Sequence, residues 1–119
     1  MTIGKDRAAT IAALNDALRT FPWAGNNTLG RTMLTRGVNA EGPEFVLRVL
    51  NAVAGFAAFT ADNDPYGEHD FSSVEVDGHT IFWKIDYFQK DYDHSAGAET
   101  PENAETTDRV LTVMLAEEY

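Results

Sequence analysis

The sequence has 119 residues, no cysteine and a formal net charge of −10, which suits one domain that buries its own core. The lack of cysteine excludes disulfides, thiol nucleophiles and cysteine-ligated zinc. No apolar run approaches the ~20 residues of a membrane span, and the first ten residues lack a secretory apolar stretch, so we expect a cytoplasmic protein that does not bind membranes.

The charge is divided unevenly between the two halves of the chain. Residues 1–60 contain four acidic and six basic residues, whereas residues 61–119 contain 15 acidic and three basic residues, a balance of −12. Such a field repels the phosphate backbone of nucleic acids and attracts basic partners. The alternative interpretation is a surface that only keeps the protein soluble. Neither interpretation predicts direct binding of nucleic acid.

Two segments have helical patterns. Residues 5–20 fit an amphipathic helix, with apolar residues at spacings of three and four. Residues 43–59 begin with proline at the first helical position and are apolar over more than one stripe, so we expect the core helix and most buried element here. Residues 32–38, between them, are predicted to form a short strand. The polar residues of the first helix are expected to face away from the core: Asp6, Arg7, Asn15, Asp16 and Arg19.

The strongest local signal is a β-hairpin. Two alternating runs, residues 71–76 and 79–88, are joined by Asp77-Gly78. This pair favours a type I′ turn, because both central residues of that turn need positive φ. Just before the hairpin, residues 64–67 have the sequence DPYG, which suits a type I turn.

The rest of the chain is less clearly patterned. Residues 89–106 are acidic and rich in small residues, so we expect an exposed, partly mobile acidic loop. Residues 108–118 fit a helix or a strand by pattern, and we favour a helix because Met, Leu, Ala and Glu are good helix formers. We therefore predict a single α+β domain over residues 1–119. A small antiparallel sheet of about three strands, built on the central β-hairpin, packs against two to three helices.

Three motifs resemble those of a known family. They are TADNDPYGEHDF at residues 60–71, DGHTIFWKIDY at 77–87 and RVLTVMLAEEY at 109–119. Through them the chain resembles an uncharacterised family of small bacterial proteins of unknown function, whose members look like passengers of plasmids and other mobile elements. Ser72 stands where the family usually has glycine, and Phe88-Gln89 where it usually has Tyr-Asp. The resemblance implies no catalytic residues, because the family has no assigned activity.

A cluster of titratable residues around the start of the hairpin is the candidate site. Extending the hairpin register places His69 directly across from Asp86, with Lys84 next along the strand and Glu68 and Asp70 beside the histidine. A His–Asp pair with a lysine suits acid–base catalysis. Carboxylates with one imidazole are also weak candidates for divalent-cation ligands: Glu68, His69, Asp70 and Asp86. The alternative is that these residues form ordinary ion pairs that tie the turn to the sheet.

Two functions are consistent with these patterns. We prefer a non-enzymatic acidic binding protein that engages a basic protein surface and needs no cofactor. On a mobile element the partner could be a nucleic-acid-binding host enzyme, inhibited by DNA mimicry as anti-restriction and anti-CRISPR proteins do. The alternative is a small metal-assisted or acid–base hydrolase that uses Glu68, His69, Asp70, Lys84 and Asp86. A pocket beside His69 would favour the hydrolase. Carboxylates in a stripe at roughly the phosphate spacing of DNA, with no pocket, would favour the binding protein.

Overall fold

The computed structural model describes residues 3–20, 29–90 and 97–119. Within these segments the fold is α+β, as predicted, with three helices and a four-stranded sheet. In chain order the elements are α1 (Ile3–Arg19), β1 (Gly30–Leu34), α2 (Arg36–Ala40), α3 (Pro43–Gly55), β2 (Phe71–Val76), β3 (His79–Gln89), β4 (Thr107–Leu115) and a 3₁₀ turn (Ala116–Glu118). None of the helices described is long and apolar enough to cross a membrane.

The sheet has the strand order β1-β4-β3-β2 and is mixed. Strand β3 pairs antiparallel with both β2 and β4, whereas β1 runs parallel to β4. The predicted sheet of about three antiparallel strands was therefore close in size but wrong in its direction at one edge. The difference arises at the C-terminal segment, which forms a central strand and brings β1 into the sheet as its parallel neighbour.

The central hairpin is confirmed, although β3 extends one residue beyond the predicted run, to Gln89, and the predicted register holds over β2. Phe71 lies opposite Lys84, and Val76 lies opposite His79. The turn residues Asp77 and Gly78 have φ values of 52° and 82°, as a type I′ turn requires. The DPYG turn is also present, because the Gly67 N–H donates to the Asp64 carbonyl at 3.1 Å.

Strand β4 replaces the helix that we favoured for residues 108–118. It lies between β1 and β3, and seven of its nine residues are buried. A strand that is covered on both faces has a continuous apolar run, which propensity alone does not distinguish from a helix. Backbone pairing on both edges outweighs the weak helical preference of the side chains. Strand β4, and not α3, is the more buried element.

The three helices differ from prediction in particular places. Helix α3 ends at Gly55 rather than near residue 59, because Phe56 has extended backbone angles. The predicted strand over residues 32–38 ends at Leu34, and α2 follows it. The Glu118 carboxylate holds this helix start, since it accepts hydrogen bonds from the Thr35 hydroxyl and the Gly37 N–H at 2.6 and 2.9 Å.

One face of the sheet packs against the helices and forms the core. Leu18 of α1, Val38 of α2 and Val49 and Val53 of α3 meet Trp83 of β3 in this layer. The remaining buried members of the cluster are Phe45, Leu50, Val76, Ile81, Ile85, Leu111, Val113 and Leu115. The helix layer therefore covers the hairpin as well as the central strand.

The predicted acidic loop begins later than expected. Gln89 still belongs to β3, and Phe88 forms an isolated bridge with Gly97. Residues 98–106 are turns and irregular chain, whereas residues 91–96 lie outside the described segments. The mobility of this loop stays a prediction.

Candidate functional site

His69 leaves the hairpin and turns towards α1. The β2–β3 ladder ends at Phe71 and Lys84, and one further hydrogen bond joins the Ile85 N–H to the Asp70 carbonyl at 2.8 Å. At His69 the φ angle is 56°, outside the strand region. The prediction that strand pairing continues to His69 and Asp86 is therefore wrong, because the backbone diverges from the strand one residue before that pair.

The imidazole of His69 instead lies between two carboxylates from other parts of the chain. Its Nδ1 is 3.0 Å from Asp16 Oδ2 on α1, and its Nε2 is 3.6 Å from Asp64 Oδ2 in the turn. The ring stacks on Phe59 with a centroid distance of 3.8 Å and an interplanar angle of 2°. This arrangement fixes the ring and joins α1 to the turn that precedes the hairpin.

Lys84 and Asp86 form a separate ion pair on the sheet. Their Nζ and Oδ2 atoms are 2.9 Å apart, and about two-fifths of each side chain is exposed (40% and 42%). The predicted cluster is thus divided, with Lys84 and Asp86 paired with each other and His69 paired with Asp16 and Asp64. The described residues contain no group of three or more His, Asp or Glu side chains that could hold a metal ion, so the weak metal hypothesis gains no support.

Glu68 belongs to a buried polar network that the sequence did not reveal. Asn15 of α1 is fully buried, and its Nδ2 donates to the Glu68 carbonyl at 2.9 Å and to Tyr87 Oη at 2.8 Å. The Tyr87 hydroxyl in turn donates a hydrogen bond to Glu68 Oε1 at 2.9 Å. Burial raises the pKa of Tyr87, and the nearby negative charge of Glu68 acts in the same direction. The phenol therefore stays protonated and acts as a donor.

Arg109 of β4 also belongs to this network and is fully buried. Its Nε donates to Asn15 Oδ1 at 2.7 Å, and its Nη2 donates to the Pro101 carbonyl. The guanidinium lies over the Tyr87 ring, 5.3 Å from the centroid. Burial lowers the pKa of Arg109, whereas Tyr87 and Glu68 oppose that shift. Nη1 has no hydrogen-bond partner among the described residues.

Arg19 is a second interior arginine, with only 3% of its surface exposed. Its Nη2 is 2.6 Å from Asp16 Oδ1, and its Nη1 donates to the Val53 and Phe56 carbonyls at 2.7 and 2.8 Å. These carbonyls lie at the end of α3, where a cation is favoured by the helix dipole. Asn15 and Arg19 were both expected to face solvent, and that expectation is wrong.

The carboxyl group of Asp70 lies in a negative environment. Partial burial raises its pKa, and the charge of Glu68 adds to the effect. Asp64 and Asp86 contribute smaller shifts in the same direction. The start of the hairpin therefore combines several carboxylates whose charges are not fully offset by the buried arginines.

Two adjoining cavities lie between α1 and residues 61–68. The larger, of about 600 Å³, has walls formed by Ala8, Ala61 and Asp64 among others. The smaller, of about 380 Å³, is lined in part by Glu68 and Tyr87. Ala8 and Tyr66 border both, so we describe them together as the α1 groove. His69 lines neither cavity, although two members of its acidic surroundings, Asp64 and Glu68, do.

Residues 34–118 match the family model described as "Protein of unknown function (DUF3768)". The chain belongs to this family. No curated protein and no solved structure matches it. The DUF3768 region contains the turn, the hairpin and β4, whereas α1 lies before it. The site therefore combines residues from two parts of the chain. Glu68, His69 and Arg109 lie inside the family region, and Asn15 and Asp16 lie before it.

Some of the overlooked residues had a signal in the sequence. Asn15 follows Ile11 by four residues and precedes Leu18 by three, so it occupies the apolar stripe of α1. Arg109 is a single cation at the start of an otherwise apolar run in the DUF3768 region. A polar residue at a core position is informative, because it must find a partner when it is buried. The sequence does not say which partner.

Proposed function

We propose that this DUF3768 protein is a non-enzymatic acidic binding protein that engages a basic surface of another protein. The observation that supports this most is how the three cations of residues 61–119 are used. Arg109 is fully buried, and Lys84 is paired with Asp86. Lys90 Nζ lies 3.4 Å from the Ala104 carbonyl. The acidic balance of this half is therefore concentrated at the protein surface.

Several exposed carboxylates have no ion-pair partner within the described part of the chain. They lie in the loop before the hairpin, on β2 and between β3 and β4: Asp62, Glu75, Glu99 and Glu105. Unpaired surface carboxylates add to a long-range field that speeds encounters with a basic partner. A nucleic-acid-binding enzyme has such a basic surface, so mimicry of DNA by these carboxylates is the specific form of binding that we propose.

The contacts of His69 give less support to the hydrolase hypothesis. A general acid or base must reach a proton of the bound substrate. The Nδ1 atom faces Asp16, Nε2 faces Asp64, and Phe59 covers one face of the ring. These contacts favour a role in joining α1 to the turn. The α1 groove offers Glu68 and Tyr87 to a ligand, but no histidine.

A pull-down from a bacterial lysate with matched variants tests the proposal. The wild type is compared with His69→Ala and with a variant in which four exposed acids are neutralised: Asp62→Asn, Glu75→Gln, Glu99→Gln and Glu105→Gln. We expect the wild type and His69→Ala to retain the same basic proteins, and the neutralised variant to lose them. Double-stranded DNA added to the lysate should displace a partner that is bound through DNA mimicry.

Two results would overturn the proposal. One is recovery of the same proteins by the neutralised variant, since the surface charge would then be irrelevant. The other is turnover of a chromogenic ester or phosphoester that is lost in His69→Ala, with the variant's fold confirmed by circular dichroism. The second result would establish the hydrolase instead.

A further inference from the structure

The α1 groove combines three chemical features on neighbouring surfaces. Small apolar side chains, including Ala8 and Ala61, form part of its wall. Asp64 and Glu68 contribute carboxylates. Tyr66 stands at the junction of the two cavities with 81% of its surface exposed. An exposed aromatic ring next to carboxylates is a favourable environment for a cation that carries an apolar stem.

The two interior arginines of the protein show how it accommodates a guanidinium. Arg19 lies over the rings of Phe59 and Trp83, at 5.3 and 5.1 Å, while donating to carboxylate and carbonyl oxygens. Arg109 lies over Tyr87 while donating to Asn15 and Pro101. Each site combines an aromatic face with oxygen acceptors. The α1 groove has the same combination in Tyr66 and Glu68, and among the described residues no arginine lies over the Tyr66 ring.

The acceptor capacity of the groove is only partly used. Glu68 Oε1 accepts a hydrogen bond from the Tyr87 hydroxyl, whereas Oε2 has no hydrogen-bond donor within the described segments. Arg7 also borders the groove, but its Nε pairs with Glu102 at 2.9 Å and its Nη2 donates to the Glu99 carbonyl at 3.0 Å. The charge of Arg7 is therefore balanced at the wall. Asp64 is buried and faces His69, so Glu68 is the groove carboxylate that remains able to receive a second cation.

We propose that the α1 groove is a subsite for an arginine side chain of the basic partner. The inference rests on the proposed function and specifies where and how the partner is recognised. The methylene stem lies along the alanine wall, and the guanidinium stacks on Tyr66 and donates to Glu68. Arginine is preferred over lysine, because a planar guanidinium stacks on a ring and presents a fork of donors to a carboxylate.

Calorimetric titration with hexa-arginine and hexa-lysine peptides tests the subsite. Tyr66→Ala removes the ring, and Glu68→Gln removes the charge while its amide oxygen still accepts from Tyr87. Each variant should weaken hexa-arginine binding about fivefold, as expected for a partly exposed cation–π contact or a charge-assisted hydrogen bond. Binding of hexa-lysine should be weaker than that of hexa-arginine in the wild type, and the variants should narrow the difference.

Two matched controls distinguish specific binding in the groove from general attraction by the negative surface charge. Tyr119→Ala removes another exposed tyrosine, 75% accessible, and Glu44→Gln removes an exposed charge on α3, outside the groove. Both should change hexa-arginine binding less than twofold. Equal losses in groove and control variants would overturn the subsite while leaving the acidic binding protein intact.

The opposite failure is also recognisable. If hexa-arginine binding depends on Tyr66 and Glu68 but not on ionic strength, the subsite stands and the proposed function falls. If the wild type binds neither peptide at low salt, both are overturned. Backbone amide shifts in an NMR titration with hexa-arginine provide an independent map, which should centre on residues 7–11 and 64–68 and would contradict the subsite if it centred elsewhere.

Discussion

The two ends of strand β3 are built differently. At its N-terminal end the chain reverses through Asp77 and Gly78, and the nearby ion pair between Arg48 and Asp77 is about half exposed. At its C-terminal end Tyr87 meets the fully buried Asn15 and Arg109, from segments far apart in the chain. One end depends on local turn geometry, and the other on buried polar contacts between distant segments.

This difference shows how charge is distributed in the protein. The hairpin end keeps its ions in solvent, where pairs contribute little to stability. At the other end Arg109 is buried, and Arg19 is buried over Trp83 near the middle of the strand. The two arginines direct their donors to Asp16, Asn15 and backbone carbonyls, so neither presents a cation at the protein surface. Because these arginines are used inside the protein, the surface around the buried network of Asn15, Tyr87 and Arg109 is more acidic.

The largest expected effect contrasts an interior arginine with a surface one. Arg109→Met should reduce the free energy of unfolding by about 3 kcal/mol, because it leaves the Asn15 amide, the Pro101 carbonyl and the Glu68 charge without their cation. Arg48→Met, the matched change at the hairpin end, should cost at most about 0.5 kcal/mol. Urea unfolding measures both. Equal losses would show that the two ends do not differ as described.

The second contrast concerns asparagine. Asn15→Ala removes donors to Glu68 and Tyr87 and an acceptor for Arg109, and should cost about 2 kcal/mol. Asn51→Ala, on the exposed side of α3, should be neutral or slightly stabilising because alanine is the better helix former. Thermal unfolding of both variants gives the comparison. A neutral Asn15→Ala would mean that the network does not hold α1 in place.

A third test addresses the hairpin turn. Gly78 has a φ of 82°, and a Cβ at this position would meet nothing within 4 Å, so Gly78→Ala should cost about 1 kcal/mol through backbone strain alone. Gly55→Ala, at the end of α3 and also in open space, should be neutral or stabilising. Chemical denaturation again measures the difference. A harmless Gly78→Ala would contradict the turn type.

The smallest effects are expected from two carboxyl groups whose pKa values are shifted in opposite directions. Burial raises the pKa of Asp70, so its contribution to stability is present at low pH and is lost as the pH rises through the raised pKa. Hydrogen bonds from the Thr35 hydroxyl and the Leu115 N–H lower the pKa of Glu118. The contribution of Glu118 is therefore present above its unfolded pKa and is lost as the pH falls through the lowered value.

Matched amide variants measure these contributions. At neutral pH Asp70→Asn should raise the free energy of unfolding and Glu118→Gln should lower it. Each change should be at most about 1 kcal/mol, because both carboxyl groups are partly exposed. Both differences from the wild type should shrink in acid, where the carboxyl groups are protonated in both states. Two shifts of the same sign at neutral pH would show that one of the assigned environments is wrong.

The same contrast explains what the sequence could predict. The hairpin followed from Asp77-Gly78 because turn geometry is a local property. The partner of His69 did not, because Asp16 lies 53 positions away and the extended register pointed to Asp86 instead. Strand β4 was mistaken for a helix because its pairing with β1 and β3 depends on distant segments. Side-chain propensities do not contain that information.

The candidate site was predicted in part. The alternative that Lys84 and Asp86 form an ordinary ion pair agrees with the structure, whereas His69 pairs with Asp16 instead of Asp86. The groove itself depends on α1, which no pattern in the DUF3768 region could place. Composition did indicate the acidic second half, but only the structure shows Arg109 inside. Long-range packing is what the sequence left open.

The most direct test of the central claim is the salt dependence of binding to a basic partner. The dissociation constant for hexa-arginine, or for a partner recovered by pull-down, is measured at about 50 and 150 mM salt, between which screening of surface charge increases substantially. The variants are His69→Ala and the charge reversals Glu99→Lys and Glu105→Lys, each checked for folding. We predict that wild-type binding weakens steeply with salt, that each reversal weakens it in a small step, and that His69→Ala changes little. Salt-independent binding that His69→Ala alone destroys would contradict the account.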